Sequence, residues 1–443
     1  MSALPTQPPA GQAFYAPEIQ TLAEEPLRAL QEERLAGQIR RIFQLPIPLF
    51  RRHLEAAGIK DPRDFKGLAD LARIPALRKS DLRASEAAVA PFGDYRGSTP
   101  ESWVRIGQTT GSSGRPTLIV WTRQDLAVDY QAASRARWRW GLRPGMVFAQ
   151  AHPHGLYAGG WHMSHGVEAM GCLDIPSGPP TTEAHRRRVV QLWQRLQPDM
   201  YRLFGNAGVK YYETALEMGI DPARELRFQQ AGGSHPSSQF DAVSAGLEAL
   251  GMLGSACSEK NGAHLCEDLA IVEVVDRRTG RPVGHNERGN LIVTILEKDN
   301  FHIRYDLEDL VRLNLEPCPC GETHRRMFYD GRVSDAVPVA PDGPEGRRVE
   351  MLPIDAALLL HDFPELAMPS VEYQLVRRPE PRAFLELRIE GPAAVGATSD
   401  ALVVAISARA RAQFGIPVQV ELLPRGGLPR FDYKAARVID EVG

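Results

Sequence analysis

The chain has 443 residues, of which 43% are hydrophobic and 24% are charged, and its net charge is −3. This length exceeds the size at which one hydrophobic core stops growing, so we expect two or more domains. The small net charge argues against a nucleic-acid partner or an anionic membrane surface. The sequence shows no run of about 18 apolar residues and no secretory pattern at its start, which predicts a soluble, cytoplasmic protein without a membrane partner.

The first part of the chain is expected to form helices and layered α/β structure. Residues 1–16, rich in Pro, Gln and Ala, are expected to be a flexible arm, and apolar residues at helical spacing follow from Pro17 to about Ala84. The elements predicted next are a strand at Leu118–Trp121, a helix at Arg123–Trp140, a strand at Met146–Ala151 and a strand at Arg227–Ala231. Their alternation predicts layers with a largely parallel sheet.

The pattern changes near residue 268. Short strands at Ala270–Asp276, Gly289–Leu296 and Asp309–Leu315 are typical of an antiparallel β subdomain. A Pro/Gly-rich passage, Val337–Gly346, is predicted to be a linker or an exposed hairpin. Beyond it, a compact α+β unit is predicted from helices at 353–361 and 400–414 and from strands at 370–377, 383–390 and 418–423. We therefore expect an α/β fold with a large N-terminal domain at 1–330 and a small, mobile C-terminal domain at 331–443.

One loop between two predicted strands alternates hydroxyl and glycine residues and carries one cation. It contains Thr109, Thr110, Gly111, Ser112, Ser113, Gly114 and Arg115. Glycine lets backbone N–H groups approach phosphate oxygens, while the hydroxyls add hydrogen bonds and the arginine adds charge. The loop lacks the Gly-Lys-Ser/Thr ending and the following helix of a Walker A motif. We predict a polyphosphate-binding loop, with an ordinary surface loop as the alternative.

Several further motifs follow this loop along the chain. They are His154–Gly160, Asn261–Asp268, Arg304–Leu310, Cys318–Gly321, Gly331–Arg332 and Leu428–Lys434. In this order they resemble the adenylate-forming superfamily, specifically its phenylacetate–CoA ligase branch, from about residue 85 to residue 443. The resemblance implies an enzyme that uses ATP and Mg²⁺ to convert a carboxylic acid into an acyl adenylate, and then transfers the acyl group to coenzyme A.

The resemblance also implies contacts with the nucleotide. Gly232, Gly233 and Ser234 correspond to a turn that lines the adenine pocket, although a plain strand-to-helix connection would look the same. Asp309 corresponds to the carboxylate that accepts hydrogen bonds from the ribose hydroxyls, with a turn-capping role as the alternative.

Two basic residues are implied to be catalytic. Arg332 corresponds to the arginine that precedes the hinge, which would lie at Ser334–Asp335. Lys434 corresponds to the lysine that bridges carboxylate and phosphate oxygens during adenylation. An ammonium group on a flexible side chain suits that transient contact.

The acid-binding segment is implied to include Tyr157, Gly159, Gly160 and Trp161. Glycines leave room for a flat ring and aromatic side chains can stack on it, so an aromatic or heteroaromatic acid is the expected substrate class. A glycine-rich turn beside core aromatics is the alternative.

Three thiols and one imidazole indicate a metal site. Cys257, His264, Cys318 and Cys320 are ligand types that Zn²⁺ prefers in closed structural sites, and some members of the resembled branch have a site built this way. The alternative is that these are free cysteines in loops. The odd total of five cysteines argues against a disulfide framework.

One departure from the family pattern leaves the activity open. The family's Tyr-Gly-x-Ser/Thr-Glu motif, whose glutamate binds magnesium, is missing, and only Ser258–Glu259 offers a carboxylate there. We favour an aryl-acid–CoA ligase whose partners are a small aryl acid and coenzyme A, with a homodimer as a candidate assembly. The alternatives are a ligase that transfers the acyl group to an amine or other nucleophile, and a non-catalytic homologue that binds a nucleotide or aryl ligand.

Overall fold

The computed structural model describes residues 11–109, 116–203, 207–227, 242–243, 249–343, 346–366, 372–391, 397–429 and 436–441. In these residues the helices are α1 (Pro17–Gln20), α2 (Glu24–Gln44), α3 (Pro48–Ala56), α4 (Lys79–Ala88), α5 (Arg123–Arg139), α6 (Ala158–Ala169), α7 (Glu183–Leu196), α8 (Ala207–Glu217), α9 (Pro222–Glu225), α10 (Pro353–His361) and α11 (Ala397–Phe414). The strands are β1 (Leu77–Arg78), β2 (Arg105–Gln108), β3 (Leu118–Trp121), β4 (Val147–Gln150), β5 (Leu173–Pro176), β6 (Met200–Arg202), β7 (Ala242–Val243), β8 (Gly254–Ala256), β9 (Ala263–Leu265), β10 (Ala270–Val275), β11 (Arg288–Ile295), β12 (Tyr305–Asn314), β13 (Arg326–Arg332), β14 (Val337–Val339), β15 (Val349–Met351), β16 (Tyr373–Arg377), β17 (Leu385–Glu390), β18 (Val418–Leu423) and β19 (Val438–Asp440).

The chain divides into two compact units. The first falls within Met1–Gly178 and Phe240–Tyr329, and the second within Pro179–Gln239 and Asp330–Gly443. The second unit therefore includes a segment, 179–239, that the predicted domains assign to the large N-terminal domain. The domain boundaries at 1–330 and 331–443 stay a prediction.

The first unit contains a mostly antiparallel sheet. Its strand order is β10-β11-β12-β13-β9-β8-β7, and β1 pairs with β12 in parallel. Strands β10 and β11 pair in antiparallel register through Val272 and Val293, as the predicted β subdomain requires. Strand β12 begins at Tyr305, four residues before the predicted start at Asp309. A β-bulge interrupts its pairing with β11, so the sequence of its first residues resembles a turn.

Helix α2 and the sheet share one hydrophobic core. Leu35, Ile39 and Ile42 are buried on α2 at spacings of four and three residues, which is the apolar stripe of a helix that packs by one face. In β11 every residue after the first is buried, so the strand is covered on both sides. Each fully buried Leu or Ile stabilises the fold by roughly 1.5–3 kcal/mol.

Strands β4 and β5 form the predicted α/β layer of the first unit. They pair in parallel from Val147 with Leu173 onward and are connected through α6, as a parallel pair requires a crossover. In the large sheet, β1 pairs with β12 in parallel, whereas β10 with β11, β11 with β12, β13 with β9, β9 with β8 and β8 with β7 are antiparallel, so a largely parallel sheet is not found there. None of the helices in the described ranges is both long and apolar enough to cross a bilayer.

The described end of the N-terminal arm is packed, which differs from the flexible arm expected at 1–16. The ring of Tyr15 meets the edge of Trp138 with 5.8 Å between centroids, and the Trp138 indole N–H donates to the Gln12 carbonyl at 3.1 Å. Tyr15 is 8% exposed. An aromatic ring of this size buries a large apolar area, which anchors the arm to α5.

The second unit contains a four-stranded sheet in the order β18-β17-β16-β19. Its two predicted helices and three predicted strands all occur, and they share a core that includes Leu359, Leu375 and Ile406. The passage predicted as a linker or an exposed hairpin forms a hairpin of β14 with β15, in which Val337 and Val339 are buried while Asp342 in the connection is exposed. Alternate valines on a strand face the core, and this outweighs the turn-forming residues around them.

Candidate functional site

The predicted phosphate loop begins and ends on a two-stranded hairpin. Its residues 110–115 lie outside the described part of the chain, while Thr109 and Thr117 are buried at its base. The Thr109 N–H donates to the Thr117 carbonyl at 3.1 Å, and the Thr117 N–H donates to the Thr109 hydroxyl at 3.1 Å. These reciprocal hydrogen bonds hold the two ends of the loop together.

The predicted acid-binding segment lies beside this hairpin. The Gln108 N–H, one residue before Thr109, donates to the Leu156 carbonyl at 2.7 Å, and Gln108 forms a parallel bridge with Tyr157. Two motifs that are about 45 residues apart in the sequence therefore meet in the first unit.

Gly159, Gly160 and Trp161 lie in the first turn of α6, so the glycine-rich segment is a helix start and not a loop. A Cβ atom on Gly160 would lie 2.2 Å from the Pro153 carbonyl oxygen, and one on Gly159 would lie 2.5 Å from the Tyr157 ring. At these two positions the chain itself fills the space that the sequence analysis reserved for a substrate ring. The glycines permit close packing of the helix start.

Trp161 is fixed by three neighbours. Its indole N–H donates to the Gly155 carbonyl at 2.7 Å, the Arg105 guanidinium lies 4.6 Å from the ring centroid, and the His154 ring meets it edge-on at 5.3 Å. A cation over one face and a hydrogen bond at the edge restrict the rotation of the ring. The indole therefore provides a rigid aromatic wall.

Trp161 forms part of a cavity of about 410 Å³. The residues that line it are His154, Trp161, Ser164, Glu168, Asp174, Pro176 and Gly178. Ser164, Glu168 and Asp174 are not among the site residues predicted from the sequence. The first two could have been found, because with Trp161 they recur at spacings of three and four and so share one face of a helix.

The polar groups of this cavity are connected by hydrogen bonds. The Ser164 hydroxyl donates to Asp174 Oδ2 at 2.5 Å, accepts from the Gln150 amide at 3.1 Å and lies 3.2 Å from His154 Nε2. Burial raises the pKa of Asp174, and the Ser164 bond offsets part of that rise. Burial also raises the pKa of Glu168, and the neighbouring Asp174 carboxyl raises it further. Two carboxyl groups thus share one cavity.

Asp309 lies within strand β12. It accepts a hydrogen bond from the Tyr329 hydroxyl at 3.2 Å. At the bulge, Asp306 Oδ1 accepts from Asn290 Nδ2 at 2.7 Å and from the Glu308 N–H at 2.9 Å. Glu308, in the bulge, has a positive φ of 57°. The ribose-binding and turn-capping roles of Asp309 both stay predictions.

The structure does not describe four other residues that were predicted to contact the nucleotide or the reacting groups. Gly232, Gly233, Ser234 and Lys434 lie outside the described residues.

Arg332 is the last residue of β13 and is exposed. Gly331 before it has a φ of 144°, and a 3₁₀ turn, Val333–Asp335, follows it. Such a φ is accessible mainly to glycine, and the 3₁₀ turn after Arg332 lies where the hinge is predicted.

The four predicted metal ligands lie together in the first unit. The ligand atoms of Cys257, His264, Cys318 and Cys320 are all within 4.8 Å of one another. Cys257 Sγ is 3.8 Å from Cys318 Sγ, and Cys320 Sγ is 3.3 Å from His264 Nε2. The Nδ1 atom of His264 is 2.9 Å from the His324 carbonyl oxygen, so Nδ1 carries the proton and Nε2 faces the thiols. Burial lowers the pKa of His264 to about 4.

A second group of metal-ligating residue types consists of Asp129, His162 and His165. The Asp129 carboxylate already accepts from the Lys298 ammonium at 3.0 Å and from the Trp121 indole at 2.9 Å. Because a lysine neutralises its one carboxylate, this group suits packing better than cation binding.

The region of the missing magnesium motif is described only in part, because residues 228–241 and 244–248 lie outside the described chain. Strand β8 is buried, and Ser258 and Glu259 follow it in an exposed turn. The role of Glu259 as a magnesium ligand stays a prediction.

Comparisons with known proteins identify relatives along almost the whole chain. No family model matches the sequence. A phenylacetate-coenzyme A ligase of Thermus thermophilus is 33% identical over 96% of this chain and 99% of its own length, and one of Escherichia coli is 27% identical over 95% and 96%. The crystal structure of a 2-hydroxyisobutyryl-CoA ligase with its acyl-AMP superposes with a TM-score of 0.85 and 25% identity, over all of this chain and 95% of its own.

The relatives confirm both the α/β fold class and the resemblance that the motifs indicated. The hairpin that carries the hydroxyl/glycine loop, the segment at Tyr157 and the strand that carries Asp309 all occur in a chain with full-length similarity to these ligases. The chain therefore belongs to the phenylacetate–CoA ligase family of adenylate-forming enzymes.

Proposed function

We propose that this protein activates an aromatic or heteroaromatic carboxylic acid with ATP and transfers the acyl group to coenzyme A. Family membership supports the reaction type. The observation that supports the site is the pairing of Gln108 with Leu156 and Tyr157, because it brings the base of the phosphate loop beside the acid-binding segment. Adenylation needs these two groups close together, since the carboxylate must reach the α-phosphate.

The reaction has two steps. A carboxylate oxygen attacks the α-phosphorus of ATP, the bond to the β-phosphate oxygen breaks, and pyrophosphate leaves. The sulfur of coenzyme A then attacks the acyl carbon, AMP leaves, and the thiol proton passes to solvent. The loop from Thr109 to Arg115 would stabilise the charge on the departing pyrophosphate through N–H, hydroxyl and guanidinium donors. Mg²⁺ would neutralise phosphate charge in the same step.

Six residues outside the loop have proposed roles. Asp309, held by the Tyr329 hydroxyl, would accept hydrogen bonds from the ribose. Lys434 would bridge the carboxylate and phosphate oxygens in the first step. Arg332 would be the catalytic arginine that precedes the hinge at Ser334–Asp335. The adenine would contact Gly232, Gly233 and Ser234.

Exchange of labelled pyrophosphate into ATP tests the first step. We expect aryl acids to support exchange in the absence of coenzyme A, and Lys434→Ala to reduce it by roughly 100-fold or more, since electrostatic groups in a transition state typically contribute that much. Lys60→Ala, an exposed lysine, is the matched control. Unchanged exchange in Lys434→Ala would remove that lysine from the mechanism.

Adding coenzyme A separates the candidate reactions. Thioester formation supports the proposal, whereas exchange without thioester supports an amine or another acceptor. Nucleotide binding without exchange for any acid would indicate a non-catalytic homologue. The test includes both alternatives because the magnesium motif is missing and Glu259 lies in an exposed turn.

We also propose that Zn²⁺ is bound by Cys257, His264, Cys318 and Cys320 in a structural role. A tetrahedral site with Zn–S bonds of about 2.3 Å separates its ligand atoms by about 3.8 Å. The spacing of 3.8 Å between the thiols of Cys257 and Cys318 fits this geometry. The His264 tautomer supports it, because a metal-ligating histidine usually donates its other N–H to a carbonyl or carboxylate.

Metal analysis of the purified protein tests the zinc proposal. We expect about one zinc ion per chain, lost together with several degrees of the unfolding midpoint in Cys257→Ser or after chelation. Cys172→Ser is the control, because its thiol donates to the Arg143 carbonyl elsewhere in the unit and its loss should leave the metal content unchanged. A metal-free protein whose unfolding does not respond to zinc would contradict the proposal.

Three properties of the protein stay predictions from the sequence. They are the cytoplasmic location, the lack of a nucleic-acid or membrane partner, and the homodimer.

A further inference from the structure

The cavity beside Trp161 contains acidic groups that the proposed adenylation does not use. Glu168 lies on α6 one turn after Ser164, and Asp174 lies on the adjacent strand β5. Both side chains line the same space of about 410 Å³. That volume accommodates a substituted aromatic ring.

The Asp174 carboxyl is incompletely satisfied. Ser164 donates to Oδ2, whereas Oδ1 is buried and has no hydrogen-bond partner among the described residues. A buried carboxylate oxygen without a donor costs free energy, so the site is better satisfied with a donor in the cavity. Glu168 adds a second carboxyl group to the same cavity, and burial together with the Asp174 carboxyl raises the pKa of Glu168.

Arg105, the cation that acts on Glu168, is already engaged. Arg105 lies over the Trp161 ring and forms a short hydrogen bond with His165 Nε2. An apolar substituent placed against two carboxyl groups would remove them from water without replacing their hydrogen bonds. A protonated amine supplies three donors and a positive charge, and it also interacts favourably with an indole ring.

We propose that this cavity binds a protonated amino group of the acid substrate, so that the preferred substrates are aryl acids bearing an alkylamine. The inference rests on the proposed function, because it assigns the cavity to the acid-binding segment that begins at Tyr157. Asp174 and Glu168 pair with the ammonium, Ser164 orients the Asp174 carboxyl, and Trp161 covers the ring.

A matched pair of acids tests the inference. 4-(Aminomethyl)phenylacetate and 4-ethylphenylacetate have nearly the same shape, but only the first carries a positive charge. We expect calorimetric titration of the full-length protein to show at least about tenfold tighter binding of the amine, as a charge-assisted hydrogen bond predicts. Pyrophosphate exchange should show the same preference in kcat/KM, chiefly through KM.

Three variants assign the effect to the cavity. Asp174→Asn and Glu168→Gln should each weaken the amine by roughly tenfold and leave the ethyl compound unchanged or improved. Glu168 is exposed, so its variant should fold even if the Asp174 variant does not. Glu55→Gln, an exposed glutamate on α3, is the control and should change neither acid.

The outcomes distinguish this inference from the proposed function. Equal binding of the two acids, or variants without effect on the amine, would overturn the inference, while exchange with either acid would leave the proposed function standing. Amine binding that depends on Asp174, without exchange for any acid, would support the cavity assignment and count against the enzyme.

Discussion

Buried ion pairs on α5 illustrate how single residues hold the first unit together. Arg135 bonds both oxygens of Asp268, at 2.5 and 3.0 Å, and the two side chains are 2% and 1% exposed. Arg139 pairs in the same way with Glu322, two residues after Cys320. Such pairs add little net stability, but removing one partner leaves a charge buried without compensation.

Asp268→Asn is therefore expected to destabilise the protein by about 3–5 kcal/mol at neutral pH. The measurement is denaturant unfolding of the full chain. Glu183→Gln breaks an exposed pair with Arg187 of 2.7 Å and should cost less than about 1 kcal/mol. A loss in Asp268→Asn no larger than in this control would show that the buried pair does not matter.

The pH dependence of this pair follows from the pKa of Asp268. Burial raises that pKa, but Arg135 outweighs burial and the net pKa is lowered from 3.8. A lowered pKa means that the pair contributes its full stability above the unfolded value and loses it as the pH falls through the folded value. The difference between Asp268→Asn and the wild type should thus shrink in acid below about pH 4.

At the scale of elements, the start of α6 depends on a close approach between backbones. The helix can begin beside Pro153 only because Gly160 has no Cβ atom. This start sets the position of Trp161, and through the helix it sets those of Ser164 and Glu168 in the cavity. The element thus connects local packing to the acid-binding region.

Gly160→Ala is expected to destabilise the protein by about 1–3 kcal/mol and to raise KM for the acid, because the helix start must shift. Thermal unfolding and pyrophosphate exchange measure the two effects. Gly37→Ala, in α2, meets only the Arg40 side chain at 3.8 Å and should be neutral or stabilising. Equal behaviour of the two variants would contradict the packing role of Gly160.

At the scale of the whole molecule, local sequence patterns carry information about single elements. The strand at Leu118–Trp121 and the helix at Pro353–His361 occur with the predicted bounds, because local apolar spacing and proline at a helix start carry that information. The segment 179–239 belongs to the compact unit that also contains 330–443, which no local pattern indicates. Grouping depends on contacts between residues far apart in the chain.

Motifs whose residues are adjacent or in a fixed order were enough to indicate the family, the reaction type and the types of candidate ligand. The folded chain was needed to show that Cys257 and Cys318 are neighbours, that Asp306 accepts hydrogen bonds at the bulge, and that Asp174 and Glu168 line one cavity. The physical reason is that burial, proton positions and opposing charges arise from residues on different elements. Their energies exist only once packing has brought those elements together.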